Sequence, residues 1–420
     1  MKKFYSLLII LLFAAGAFLR FYNFENRLIF GPEQGISLLT SAGNLTKFSL
    51  LGEYNLQRAT SAGHNLIHGP LFSYFLLPFI VLFNFRVLPV SLVFPFLNLI
   101  TALILFIISK KLFGKLVAAL TLFFFLFSSL MIYHSLFIWI YHPLILLGTL
   151  SIWFIAGLSK NQTKVSSVFW LGLISGIGFS LQYPFLIYSA FLFFLVIFLS
   201  KKRLPAISLF LGGFFLANIT RVIFDLRHDF YHLRTLWQFF LDVYFYRTIS
   251  GATYSYHYLH LFPIFCLLLA LVTGGLYKVR KVLALIPITI FLYLSFTSPL
   301  LDLKRSTGMP PGITLKSLEA AANTIADDLS VGPPAGGFNV ATLWDFDTVA
   351  RPMKYLLQYN HGLTPQGFEN YGNVDALYVF APEDRDINNP EVWELNTFKP
   401  YRVTTLISPS AKYRLYKLTK

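Results

Sequence analysis

The chain has 420 residues, 56% of them hydrophobic and only 13% charged, with 46 phenylalanines and 23 tyrosines. So few charges cannot solvate so much apolar surface, which excludes a soluble globular protein. The net charge of +15 is no nucleic-acid footprint either, because 22 of the 34 basic residues but only 6 of the 19 acids lie in the apolar first 300 positions, leaving the rest close to neutral.

The N-terminal stretch "MKKFYSLLIILLFAAGAFLRFYNF" has the charge pattern of a signal peptide. Its apolar run continues through Phe18 and Leu19, which favours an uncleaved first span near 4–23. The run at 70–83, "PLFSYFLLPFIVLF", has 14 residues and two prolines, too short for a comfortable crossing, and is expected as an interfacial or re-entrant helix. Further spans are expected near 87–109, 116–133, 143–158, 166–182, 184–200, 204–224, 259–277 and 282–300. The fold class that follows is a polytopic α-helical membrane protein of about nine spans with interfacial helices.

Five basic clusters punctuate these spans: Lys2/Lys3, Lys110/Lys111/Lys115, Lys160/Lys164, Lys201/Lys202/Arg203 and Lys278/Arg280/Lys281. Basic loops stay cytoplasmic, so the N-terminus is expected inside and the long connections 24–86 and 225–258 outside. Residues 301–420 then form a separate outer domain. There "TLKSLEAAANTIADDL" reads as a helix capped by Thr314, and "FNVATL", "ALYVFA" and "YRVTTLI" read as strands of a small α/β domain. A bacterial or archaeal plasma (inner) membrane fits this topology, as does an endoplasmic-reticulum membrane with the lumen as the outside.

The six acids before residue 300 are Glu25, Glu33, Glu53, Asp225, Asp229 and Asp242, all in the two outer loops. Eight of the nine histidines lie at or near that face, with Arg27, Arg58, Arg227, Arg234 and Arg247 able to bind anions there. Spans almost free of charge argue against an ion-coupled transport path. His228 and His232, spaced i, i+4, could share a metal-binding helical face, but no third ligand has a defined spacing. The only cysteine, Cys266, falls in an expected span, so neither an internal disulfide nor a thiolate metal site is available. Gln57, Gln182 and Tyr183 fall near expected outer span ends, where they could line a sugar site. "WDFDTVARPMKYLLQY" sets Asp345 beside Asp347 in what reads as a turn or helix cap.

Several stretches in fixed order carry a family resemblance: "LRFYNF" leading to "FGPEQG", then "HGPLFSYFLLP", "SKKLFGK", "YHSLFIW", "SGIGFSLQYPF" and "VIFDLRHDFYHLRTLWQF". Together they resemble the GT-C membrane glycosyltransferases of the dolichyl-phosphate-mannose-protein mannosyltransferase and aminoarabinose-transferase type. The resemblance covers most of residues 1–260, giving a GT-C-like domain over 1–300 and an α/β domain over 301–420 that matches only in placement and size. It implies a polyprenyl-phosphate sugar donor and a protein, lipid or glycan acceptor at the outer face. It also implies Glu33 as the catalytic acid of the first outer loop, where relatives carry Asp. The donor phosphate is expected at Arg58, His68, Arg227 or Arg234, with Asp225 or Asp229 as a possible second acid. Leu136 stands where many relatives have a polar or charged residue, and a divalent metal between two loops is doubtful, so no cofactor is firmly implied. A transporter or flippase for a lipid-linked molecule, or a non-catalytic scaffold of the same architecture, are the alternatives.

Overall fold

The computed structural model describes residues 2–158, 165–249, 254–388, 391–410 and 412–420. The basic pair Lys160/Lys164, expected to mark a cytoplasmic turn, lies outside them. The chain is mostly helical with two small sheets. In order come α1 (Lys2–Phe21), α2 (Phe24–Arg27) and α3 (Pro32–Gly43), and then an antiparallel hairpin of β1 (Tyr54–Ala59) and β2 (Asn65–Ile67). Next are α4 (Leu71–Leu82), α5 (Val87–Ser91), α6 (Val93–Phe113), α7 (Lys115–Leu126), α8 (Ser129–Tyr133) and α9 (Pro143–Leu158). The apolar series continues with α10 (Val165–Leu181), α11 (Phe185–Leu199), α12 (Arg203–Ala217), α13 (Ile219–Arg227), α14 (Tyr231–Tyr244), α15 (Phe262–Val279) and α16 (Leu285–Phe296).

Every stretch read as a span is helical, but the lengths differ from expectation. Among the described residues, three helices are long and apolar enough to cross a membrane: Lys3–Phe21, Val87–Phe113 and Ser255–Val279. A fourth is counted if α12 and α13, bent by 70°, form one broken span. At 1.5 Å per residue, the 12-residue helices α7 and α16 reach roughly 18 Å, short of a hydrocarbon core of about 30 Å. The expected span 116–133 ends after Leu126 because Ser128 caps a new helix, its hydroxyl accepting from the Met131 N–H at 3.3 Å. The expected span 204–224 breaks at Asn218, whose side-chain amide donates to the carbonyls of Gly176 and Phe214, each at 3.0 Å. Polar side chains that capture backbone groups in this way are a recognised cause of helix breaks.

The chain divides into two compact units. The first comprises Met1–Tyr22, Gly43–Pro78 and Leu92–Leu301 and contains most of the apolar helices. The second comprises Asn23–Ala42, Phe79–Ser91 and Asp302–Lys420. It is an α/β assembly in which α17 (Leu315–Val331) and α18 (Arg351–Asn360) join a four-stranded sheet of order β3-β4-β6-β5. The strands are β3 (Phe338–Thr342), β4 (Ala376–Pro382), β5 (Arg402–Ser410) and β6 (Tyr413–Thr419), with α19 (Trp393–Phe398) before β5. β3 pairs with β4 in parallel and β6 pairs antiparallel with both neighbours. Buried Leu377, Val379, Leu395, Phe398 and Leu418 form its core. Thr314 caps α17 reciprocally with Ser317, as the sequence suggested.

The sequence assigned 24–86 wholly to the first domain, whereas residues 23–42 and 79–91 pack with the second. Gly35 of α3 makes this possible: a Cβ there would sit 2.7 Å from the Pro352 nitrogen, so only glycine admits the start of α18. Tyr355 donates its hydroxyl to the Phe85 carbonyl at 2.9 Å, Phe85 stacks on Tyr359, and Lys316 pairs with Glu25 at 3.1 Å.

Candidate functional site

The first unit holds a buried polar cluster built on Gly69. Its N–H donates to the Ser180 carbonyl at 2.8 Å, and a Cβ at this position would lie 1.8 Å from the Ser180 hydroxyl oxygen and 3.1 Å from Arg221 Nε. The glycine of "HGP" therefore lets the segment after β2 close onto the "SLQYP" turn at the end of α10. The bend at Asn218 brings Arg221 to the same place. Its guanidinium donates to the carbonyls of Phe179, Ile67 and Ser180, to Asn218 Oδ1 and to the Tyr183 hydroxyl, all at 3.3–3.5 Å. It also lies over the rings of Phe179 and Tyr183, at 5.0 and 5.3 Å. The Phe179 and Ser180 carbonyls end α10, so its dipole favours the cation.

These bonds leave donors unused. Arg221 Nε, His68 Nδ1, the Ser180 hydroxyl and both amide atoms of Gln182 have no partner among the described residues. All four side chains belong to residues no more than 3% exposed. Buried polar groups are nearly always satisfied, so four orphans gathered around one turn point to a polar ligand or water. Burial above all, then Arg221 and His232, holds the His68 imidazole down to about 3, so it is neutral at physiological pH. Its ring stacks on Tyr183 at 5.6 Å and meets the edge of Tyr141 at 6.0 Å.

Tyr183 links this cluster to α14. Its hydroxyl donates to the Ile67 carbonyl and lies 3.0 Å from His232 Nε2. His232 Nδ1 is 3.6 Å from Asp225, and the backbone N–H of His232 donates to Asp225 Oδ1 at 2.8 Å. Asp225 thus caps α14 and holds the His232 ring. Burial, and secondarily Arg221, takes His232 down to about 4 against the opposing pull of Asp225. The β1–β2 hairpin is fixed to the same helix from its other side. Ser61 donates to Asp242 through its N–H at 2.8 Å and its hydroxyl at 3.0 Å, and Gln238 donates to the same carboxylate at 2.8 Å. The Ser61 N–H is the largest influence holding Asp242 below the usual carboxylate range. The segment carrying β1 and β2 and the segment carrying α13 and α14 therefore fold against each other within this unit.

Of the residues singled out by sequence, His68, Gln182, Tyr183 and Asp225 enter the cluster. Arg58 is half-buried on β1, its guanidinium 5.6 Å from the Tyr254 ring centre. Arg227, Arg234 and Asp229 are exposed, Asp229 in a left-handed turn (φ 50°) between α13 and α14. The i, i+4 pair diverges: His228 is exposed and stacks on Phe224, while His232 faces Tyr183. Among the described residues no three His, Cys, Asp or Glu side chains are grouped to hold a metal ion. Sequence reasoning missed Arg221, which it placed inside a continuous span. The "YHSLFIWIYHP" segment is buried, with His134 Nδ1 3.3 Å from His142 Nε2.

Glu33 belongs to the second unit. It is half-buried in the first turn of α3, where the helix dipole favours a carboxylate. The turn before it is locked by the Gly31 N–H, which donates to Gln34 Oε1 at 2.9 Å. Asp345 comes to the same turn, with Oδ2 3.7 Å from where a Gly31 Cβ would stand. Burial raises the Asp345 carboxyl above its ordinary value, helped by Asp347, which pairs with Arg351.

Residues 67–224 match the family model described as dolichyl-phosphate-mannose-protein mannosyltransferase. His68, Gln182, Tyr183 and Arg221 fall within that segment, whereas Glu33, Asp225 and His232 fall outside it. No curated protein sequence matches significantly. Among solved structures, the chain is similar to ArnT from Cupriavidus metallidurans in the apo state, with 11% identity, 97% of each chain covered and a TM-score of 0.53. The same protein bound to undecaprenyl phosphate matches with 11% identity, the same coverage and a TM-score of 0.49. The oligosaccharyltransferase of Archaeoglobus fulgidus in the apo form matches with 9% identity, 95% of this chain and 71% of that one, and a TM-score of 0.49. The apo ArnT likeness shows the fold, and with the family match it supports the GT-C resemblance read from the motifs.

Proposed function

We propose that this chain is an integral membrane glycosyltransferase that moves a sugar from a polyprenyl-phosphate donor to an acceptor on the outer face. The observation that carries the reading is the set of unpartnered buried donors around Arg221, His68, Ser180 and Gln182, inside the segment that matches the mannosyltransferase model. A site with one buried guanidinium, two neutral imidazoles and spare donors suits a phosphate anion. The ArnT structure with undecaprenyl phosphate bound makes a lipid phosphate the natural class to test. Arg58 is kept as a further candidate phosphate ligand, while exposed Arg227 and Arg234 are better placed for headgroups.

In the proposed reaction a base accepts the proton of an acceptor hydroxyl as its oxygen bonds to the anomeric carbon, and Glu33 is kept as the candidate for that base because the resemblance assigns it the role. The bond from that carbon to the donor phosphate oxygen breaks, and its electron pair leaves on the phosphate. Arg221 and the neighbouring donors stabilise that charge. One displacement inverts the anomeric centre. The orientation that goes with this reading puts the N-terminus in the cytoplasm of a plasma-membrane protein and residues 301–420 outside, with the C-terminal unit helping to select the acceptor. Asp225, committed to His232 and the end of α14, is proposed as a positioning group rather than a second base.

The test is transfer of labelled sugar from a set of polyprenyl-phosphate donors by purified protein, beside Glu33→Gln and Arg221→Lys. Turnover that is lost in Glu33→Gln and weakened in donor KM by Arg221→Lys is expected. Retained anomeric configuration would exclude the single displacement. No turnover by folded protein with any donor would favour the flippase or scaffold reading.

A further inference from the structure

Helix α14 is amphipathic with its faces reversed. The side chains it turns into the protein are polar: His232, Thr235 and Asp242 are 6%, 7% and 1% exposed. Those it turns outward are apolar: Leu233, Trp237, Phe240 and Tyr244 recur at helical spacing and are 55%, 60%, 40% and 63% exposed. A helix folded against water does the opposite. The preceding α13 repeats the arrangement, burying Arg221 and Asp225 while exposing Ile223 and Leu226. The outward stripe of both helices continues from the exposed apolar side of α12, with Phe215 and Leu216, around the 70° bend. Exposed Arg227, Arg234 and Arg247 flank the stripe, with Asp229 the one exposed acid between them.

We propose that α13 and α14 form a membrane-surface docking site, lying along the headgroup layer of an anionic phospholipid bilayer with Leu233, Trp237, Phe240 and Tyr244 inserted among the lipids. Three features select a bilayer as the occupant. The face is continuous with the exposed apolar side of α12, the apolar helix that α13 adjoins across the bend. Its outward residues combine Trp and Tyr with aliphatics, the mixture that settles at a membrane interface. Its flanking charges are arginines, which pair with lipid phosphates. From the same helix Tyr231, His232 and Thr235 line a narrow crevice with Asn65, Ile67 and Tyr183, beside the cluster that holds Arg221. A helix lying at headgroup depth on one side therefore sets the depth of that crevice on the other.

The inference rests on the membrane reading but not on sugar transfer, so the two fail separately. The experiment places single cysteines at Leu233, Trp237, Phe240, Tyr244 and Arg234 in the full chain. Native Cys266 is fully buried and leaves a quiet background. Each variant, labelled with a small fluorophore, is measured in nanodiscs of phosphatidylglycerol and phosphatidylcholine with a lipid-borne nitroxide quencher and with aqueous iodide. The expected result is several-fold stronger nitroxide quenching at 233, 237, 240 and 244 than at 234, with iodide showing the reverse. Uniform access of iodide would overturn the proposal by placing the stripe in water. Protection from both quenchers would also overturn it, by showing that protein covers the stripe. Retained thermal stability of each labelled variant shows that the fold has survived the substitution.

Discussion

Replacing Gln182 by methionine separates a structural amide from one held ready for a ligand. Both side-chain amide atoms are buried without a partner, in a residue 1% exposed. Each unsatisfied buried polar group costs on the order of 1–3 kcal/mol, and methionine has similar length and volume without those groups. The empty protein is therefore expected to gain about 2 kcal/mol, seen as a rise in its apparent melting temperature in nanodiscs. Ligand binding should move the other way. If the amide donates to a phosphate oxygen, its loss removes a bond to a charged group worth about 1.5–3 kcal/mol, or roughly 10- to 100-fold in affinity. The assay is thermal unfolding against increasing undecaprenyl phosphate, with dodecyl phosphate as a soluble analogue, because a ligand that binds only the folded state raises the transition as its concentration passes Kd. A variant that melts lower than wild type, with an undiminished ligand-induced rise, would refute the reasoning by showing that the amide supports the fold.

Arg221→Lys keeps the charge but loses the planar fork that reaches three carbonyls, so a loss of about 1–3 kcal/mol in stability is expected, together with weaker lipid-phosphate binding. Chemical denaturation and the same ligand titration measure the two effects. His68, held at about 3 in the folded protein against about 6.5 unfolded, contributes stability that is complete above about pH 6.5 and is lost as pH falls towards 3, because the unfolded chain binds the extra proton in that window. The loss from this residue should reach roughly 2 kcal/mol at pH 5, and melting curves of His68→Gln should be correspondingly flatter between pH 5 and 7.5 than those of wild type. Asp242→Asn weakens the clip on Ser61, so limited proteolysis between residues 60 and 64 should accelerate while cleavage elsewhere is unchanged.

The features legible in the sequence were those set by composition and local chemistry. Apolar runs located the helices, Thr314 announced α17, and three of the four strands of the second sheet were visible as β-rich stretches. The fourth, "YRLYKLT", alternates buried and half-buried positions on an inner strand, a pattern the sequence reading passed over. The span count was less legible because hydropathy does not register where a polar side chain steals a carbonyl. Asn218 does so in the middle of an apolar run, and "NITR" was the available sign of the break. Arg221 was lost with it, since a residue assigned to a span is not searched for anions. His68 was found because "HGP" is a local motif. The partnership of Gly31 with Asp345 and of Gly35 with Pro352 joins residues over 300 positions apart, and nothing local encodes it.

The cluster also explains how one guanidinium can be kept buried without an adjacent carboxylate partner. Burying an ion costs several kcal/mol, and a direct ion pair would offset that cost while occupying the group. Here the compensation is spread out. Long hydrogen bonds run to carbonyls at the end of α10, two aromatic faces lie against the guanidinium, and Asp225 acts at a distance beyond the His232 ring. Neutral His68 and His232 add no competing charge that would raise the cost further. The arrangement leaves Arg221 stabilised but not neutralised by contact, which is the condition an anion site needs: a phosphate entering it gains a charge-assisted bond without first breaking an ion pair. Moving a carboxylate into contact, as in Ser180→Asp beside Arg221 Nε, should therefore protect the folded state while abolishing the rise in melting temperature with lipid phosphate. A variant that still responds to the lipid would place the anion elsewhere.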